Sequence, residues 1–332
     1  MSKVSLKLIA TEVNVSAATV SLVLNGKNGN GRVSKEMSQK ILDKAKELNY
    51  TPNNLAQGLK MGKSKTIGLI VADISNIFFG TLALHIQNCA QQKGYTVIIG
   101  NTNEQLPEME KMINILKSRQ VDGLIMTPTE GSEELIVKLE KEKMPMVLVD
   151  RAFPKIKTNS VLINNYEISR KATQELIKQG CNNIALLTYK QDHFHINERK
   201  RGCLDVLKET KIYKPENIKE VRYGNLKDDV DSAISQLLNQ ENPIDGILFA
   251  TNSISLLGVK SLYRHQVKIQ TDIQITCFDE SEAFHLLPFS IPYIKQPIEK
   301  IARESTKLLI DQIEGKKTEI ESNFIEAELI IK

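Results

Sequence analysis

The sequence predicts a small all-α head tethered to a larger α/β body of two doubly wound parallel-sheet lobes. Hydrophobic periodicity is helical over residues 1–50 and becomes alternating apolar runs and amphipathic stretches after Lys65. The hexapeptide VDGLIM at 121–126 returns as IDGILF at 244–249, which marks a duplication. Positive charge is gathered at the front: residues 1–64 hold 10 Lys and Arg against 4 Asp and Glu, although the 332-residue chain carries only +4 overall. A basic head on a slightly acidic body fits a polyanion-binding module, or an ordinary solvated surface.

The bulk numbers exclude several classes. A 41% hydrophobic share fills a large core. Cys89, Cys181, Cys203 and Cys277 are scattered, with no C-x-x-C pair and no histidine at ligand spacing, so neither disulfides, metal nor cofactor is expected. No apolar run reaches about 18 residues and the N-terminus lacks a signal-like core, so the expectation is a cytoplasmic protein without membrane contact.

The head reads as three helices. Leu6, Ile9, Ala10 and Val13 form one apolar stripe behind the cap Ser5. Asn14 and Val15 make a tight connection, Ser16 caps a second helix with Val20, Val23 and Leu24 inward, and Asn25-Gly26 stops it. Two short helices about a tight turn are the helix-turn-helix pattern. A third helix starts at Ser34, with Ile41, Leu42, Ala45 and Leu48 inward and Lys35, Lys40, Lys44 and Lys46 outward. An ordinary helical hairpin would share much of this pattern.

In the body, the runs TIGLIVAD, YTVIIGN, VDGLIM and MPMVLVD are followed by a second series, NIALLTY, KEVRYG, IDGILFA and IQITCFD. Two such lobes leave a crevice between them, and ligands of open α/β sheets sit beyond the carboxyl ends of the strands. Asp73, Asn101, Asp150, Asn252 and Asp279 fall there, with Phe78, Phe79 and Phe249 near. Carboxylates and amides beside aromatic faces suit a hydroxyl-rich ligand such as a sugar; helix capping is the plainer role for any one of them. No G-x-S-x-G elbow or H-E-x-x-H helix occurs, so no catalyst is indicated. GLKMGKS at 58–64 is one residue short of a phosphate-binding loop and trails a helix instead of opening one.

The segment NVSAATVSLVLNG resembles the V-S-x-x-T-V-S-x-V-L-N signature of the lactose/galactose repressor family of bacterial regulators, and the likeness continues through ILDKAKELNYTPNNLAQGLKMGKSKTIGLIVADISNIFFG. The resemblance spans essentially the whole chain. It implies a helix-turn-helix head (1–50), a hinge helix or linker (51–64) and a periplasmic-binding-protein-like type I body (65–332). In that body the N-lobe takes 65–165 and 295–322, and the C-lobe 166–294 and 323–332. It also implies a homodimer on near-palindromic double-stranded operator DNA and a sugar-type effector that shifts the angle between the lobes. Candidate dimer contacts are the first body helix near Leu82 and the ESEAF stretch at 280–284.

Family positions that read bases fall on Ala17, Ala18 and Leu22, which offer thymine-methyl contact and no hydrogen bonds. Ser5, Ser16, Thr19, Ser21 and Asn25 are left for phosphates or helix caps. In the hinge, Asn53, Ala56, Gln57 and Lys60 match DNA-contacting positions, and Leu59 matches a wedge that unstacks a base step. For the effector, the resemblance points to Asp150 with Arg151, Arg199 in an R-x-x-G segment with Gly202, Asn252, and Asp279 at the far wall. His193 and His195 fall on variable pocket positions, as loop surface or as groups tuning specificity, and an acidic sugar stays open. Two departures stand out: GKNGNGR lengthens the loop after Asn25, and Ser253 replaces the usual aspartate. The alternative is a periplasmic-type solute-binding transport protein, which shares the two-lobed fold.

Overall fold

The computed structural model describes residues 4–25, 32–50, 63–316 and 319–331. The chain divides into two compact units at Ser64/Lys65. Head helices α1 (Leu6–Glu12), α2 (Ala17–Leu24) and α3 (Lys35–Glu47) each begin at a serine whose hydroxyl accepts a backbone N–H three residues on: Leu8 for Ser5, Thr19 for Ser16, Met37 for Ser34. Between α1 and α2 the chain bends by 107°, the angle of a helix-turn-helix, and Asn14 makes the turn with φ +56°. Ile9, Val13, Val20, Val23, Ile41 and Ala45 close the head core. Leu42, expected inward, is 45% exposed: Ile41 and Ala45 already fill the narrow inner face of α3, and Leu42 lies off it.

The body contains two six-stranded sheets. The first joins β1 (Thr66–Val71), β2 (Thr96–Asn101), β3 (Gly123–Met126), β4 (Met146–Val149), β5 (Ser160–Ile163) and β11 (Ser322–Ile325) in the order 11-5-4-3-1-2. In the second, β6 (Ile184–Tyr189), β7 (Ile218–Val221), β8 (Gly246–Phe249), β9 (Gln274–Phe278), β10 (Tyr293–Lys295) and β12 (Glu328–Ile330) run 12-10-9-8-6-7. All pairings are parallel except β10 with β12. The inner strands are buried along their length, which is why they read as continuous apolar runs. Strands β5, β10, β11 and β12 are three or four residues long and gave too little pattern to be read. The lobe boundary needs a correction: Asn323–Ile325, expected in the C-lobe, pair with β5 in the first sheet, because backbone pairing continues beyond residue 322.

Helices cover both sheet faces, and the chain crosses between lobes after β5, after β10 and after β11. The repeated Asp-Gly pairs work at the opposite sheet end from the cleft. Asp122 accepts the Lys65 N–H at 2.8 Å, and Asp245 accepts those of Asn182 and Asn183 at 2.8 Å, so these acids tie strand starts together. Among the described residues, no single helix is long and apolar enough to cross a membrane.

Candidate functional site

In the head, α2 carries no charged residue, and local bonds occupy most of its polar side chains. Ser16 Oγ accepts the Thr19 N–H at 3.1 Å and lies 2.9 Å from the Thr19 hydroxyl; Asn25 Nδ2 donates to the Ser21 carbonyl and hydroxyl at 2.7 and 3.1 Å. Ser5 is likewise spent on its cap. Ala18 is exposed, Leu22 is half-buried, and Ala17 packs partly against the head core. The face is therefore apolar at Ala17, Ala18 and Leu22, the positions expected to read bases, with exposed Lys35, Lys40 and Lys46 on the third helix. Asn53, Ala56, Gln57, Leu59 and Lys60 lie outside the described residues.

The body's candidate site is a narrow cleft of about 50 Å³ between the lobes. Asp150 follows β4, and Asp279 follows β9, its duplicate. Both have left-handed backbones, φ +66° and +67°. Each N–H donates to the neighbouring crossover strand, Asp150 to the Val161 carbonyl (3.2 Å) and Asp279 to that of Ile294 (2.9 Å). This turn aims the two carboxyls inward. Burial raises both pKa values, and the Arg199 guanidinium opposes it at each.

Arg199, on α8 (Phe194–Glu209), donates Nε to Asn165 Oδ1 at 2.7 Å and one terminal nitrogen to the Ala250 carbonyl at 2.9 Å. Its guanidinium lies 3.9 Å above the Phe278 ring, a stack that holds a buried cation against an apolar face. Asp279 also accepts Gln296 Nε2 at 2.7 Å and the Asn252 backbone N–H. Gln296 sits on the crossover after β10, so the cleft wall and the interlobe connection share a bond. The Asn252 side-chain amide nitrogen is buried without a partner.

Opposite, Arg151 meets Glu104 through both terminal nitrogens, at 2.5 and 2.6 Å. Glu104 escaped the sequence reading: it lies three residues past a strand end and no local pattern marks it. Asn101, expected in the cleft, is a support instead. It accepts the Ile74 N–H at 2.9 Å and donates to Asn103 Oδ1 at 2.6 Å, bracing the loop that presents Glu104. Asp73 lines the cleft, accepting from Ser75 and, at 3.1 Å, from the Tyr223 hydroxyl.

Phe78 and Phe79 wall the cleft edge to face, centroids 5.0 Å apart, on α4 (Ile77–Gln92). Phe249 is a correction: it is fully buried in the C-lobe core, its ring against Gly258, because the last residue of β8 points away from the cleft. Phe278, equally buried, reaches the site only as the ring beneath Arg199. The histidines are not loop surface: His193 and His195 are 4% and 5% exposed at the start of α8. His193 Nε2 lies 3.2 Å from an Arg151 nitrogen and accepts a hydrogen bond from its N–H, which requires the neutral ring; burial, then Arg151, lowers its pKa to about 3. Burial also holds His195 well below the ordinary range, and its Nδ1 has no partner. On α4, the first body helix and a candidate dimer contact, Leu82 itself is fully buried, while Ile77 and Leu84 are exposed.

Comparison with known proteins agrees with this fold. Residues 64–332 match the periplasmic binding proteins and sugar-binding domain of the LacI family, and residues 5–53 match the bacterial regulatory proteins of the lacI family. A ribose operon repressor of Halalkalibacterium halodurans is 33% identical, the alignment covering 98% of this chain and 95% of the relative. A periplasmic binding protein/LacI transcriptional regulator from Alkaliphilus metalliredigens, solved with D-xylulofuranose, superposes with TM-score 0.70 at 27% identity, over 80% of this chain and 97% of that one. The lac repressor dimer bound to operator and an anti-inducer has the same fold, TM-score 0.87 at 21% identity, over 99% and 98% of the two chains.

Proposed function

Because the chain belongs to the LacI family of bacterial regulatory proteins, we propose that this DNA-binding transcriptional regulator represses carbohydrate-metabolism genes under control of a sugar or sugar-derived effector held between its lobes. It acts by binding and is not an enzyme. The observation that carries the effector reading is the cleft: duplicated, inward-turned Asp150 and Asp279 flank Arg199, with Phe78 and Phe79 beside them. Carboxylates accept hydroxyl protons, the free Asn252 amide donates, and the rings cover a C–H face.

A volume of about 50 Å³ is far below the roughly 300 Å³ of a ligand pocket, so entry requires the lobes to part. An effector with different affinity for open and closed forms then shifts their populations, and with them the disposition of paired heads on a near-palindromic operator. We assign phosphate or methyl contacts to the exposed face of α2 and place the protein in the cytoplasm, on the nucleoid when bound. The match of residues 5–53 to DNA-binding regulators disfavours a solute-binding transport protein. The test selects an operator from random duplexes, then follows fluorescence anisotropy with added sugars. Wild type should bind a palindromic sequence sugar-dependently, and Arg199→Ala should keep DNA binding and lose the sugar response. A protein that selects no sequence, or an Arg199→Ala variant with an unaltered response, sinks the reading.

A further inference from the structure

We propose that Glu104 sets the charge of the effector: it occupies Arg151 in a cleft where carboxyl groups outnumber guanidinium groups, so the site takes an uncharged, hydroxyl-rich sugar and rejects sugar acids and sugar phosphates. The inference rests on reading the cleft as the effector site. Asp73, Glu104, Asp150 and Asp279 line it against Arg151 and Arg199, four carboxyl groups to two guanidinium groups, and His193 takes up a further Arg151 N–H from behind.

Donor geometry points the same way. A carboxylate or phosphate is captured best by two parallel N–H groups of one guanidinium. In Arg151 both terminal nitrogens are engaged by Glu104, and one also faces the Pro128 carbonyl and His193. Arg199 has spent Nε and one terminal nitrogen on Asn165 and Ala250. Neither offers a free fork. Among the described residues lining the cleft, the buried polar side-chain atoms without a hydrogen-bond partner are the Asn252 amide nitrogen, the Thr251 hydroxyl, His195 Nδ1 and Arg151 Nε, the last 3.5 Å from an Asp150 carboxylate oxygen; single, scattered groups of this kind suit hydroxyl oxygens.

Glu104 is held there at a backbone cost. Asn103 and Glu104 have consecutive left-handed φ values of +49° and +59°, a conformation disfavoured for L-residues. The Asn101–Asn103 bond and the Glu104 N–H to the Ala72 carbonyl (3.3 Å) hold the turn, which delivers a carboxyl 7% exposed to Arg151.

Calorimetric titration of the full chain at pH 7.5 tests this with D-ribose, D-xylose, D-glucose and D-galactose against D-glucuronate, D-galacturonate, ribose 5-phosphate and glucose 6-phosphate. Wild type should bind a neutral sugar and disfavour its charged counterpart on the order of 100-fold, the scale of like charges about 6 Å apart at an effective dielectric near 20. Glu104→Gln should narrow that gap about tenfold or more, and Glu104→Ala repeats the comparison where Gln does not fold. A wild type preferring the acid or phosphate overturns the inference but leaves the effector site standing, as does a gap unchanged in both variants. Binding of none of the eight overturns the effector reading and this inference with it.

Discussion

Gly202 sits where α8 crosses α7 (Asn165–Lys178), and replacing it with alanine tests how the arginine of the cleft is held. A Cβ there would lie 2.3 Å from the Tyr166 carbonyl oxygen and 3.2 Å from the Ser169 Cβ. Ordinary contact begins near 3.4 Å, so the helices must part by about 1 Å, and a helical carbonyl cannot step aside alone. Asn165, next to Tyr166, accepts Arg199 Nε at 2.7 Å, and the same displacement takes that bond to the edge of hydrogen-bonding distance. Overpacking of this kind costs about 1–3 kcal/mol. Weakening a hydrogen bond to a charged group adds about 1.5 kcal/mol, roughly tenfold in effector affinity. Gly202→Ala should therefore lower the urea midpoint and weaken calorimetric sugar binding. The control is Gly80→Ala, where the nearest atom to the new Cβ is the Ile74 carbonyl oxygen at 3.5 Å; alanine in this helix should stabilise by up to about 1 kcal/mol. If Gly202→Ala keeps the wild-type midpoint and affinity, the close crossing does not position Arg199.

The pH dependence has a definite sign. His193 has a folded pKa of about 3 against an ordinary 6.5, so between these values the unfolded chain binds the extra proton and stability falls as pH falls. The contribution lost by pH 5 is about 2 kcal/mol. His193→Gln, which keeps an acceptor for Arg151, should flatten the acid limb of a stability–pH curve by about that amount, and an unchanged limb refutes the buried neutral ring. The raised carboxyls of Asp150 and Asp279 act in the opposite sense in both proteins. In the head, Ser34→Ala removes the acceptor of the Met37 N–H at a cost of about 1 kcal/mol. Hydrogen exchange over α3 should quicken in the full chain while body peptides keep their rates; equal α3 rates would show that the cap contributes nothing.

What could be read from residues alone was what neighbours in the chain decide. Ser5, Ser16 and Ser34 announce their helices because a cap bond spans three residues, and β1 or β8 announces itself because a strand buried on both faces is a run of apolar side chains. The duplication placed Asp150 and Asp279 at strand ends, and both turned inward. Tertiary structure decided what each side chain meets. Glu104 reaches Arg151 across 47 residues and Asn165 reaches Arg199 across 34. No local period records such pairs, because they form only when separate strand ends are brought to one edge. Burial decided the rest: Phe249 went to the core, Phe278 came beneath the arginine, and two histidines that looked like surface were buried, His195 on the cleft wall and His193 against Arg151. Composition carries the cleft's ionisable groups, but only their pairing leaves the two arginines without a free fork. Pairing depends on distance and dielectric, which the fold alone sets.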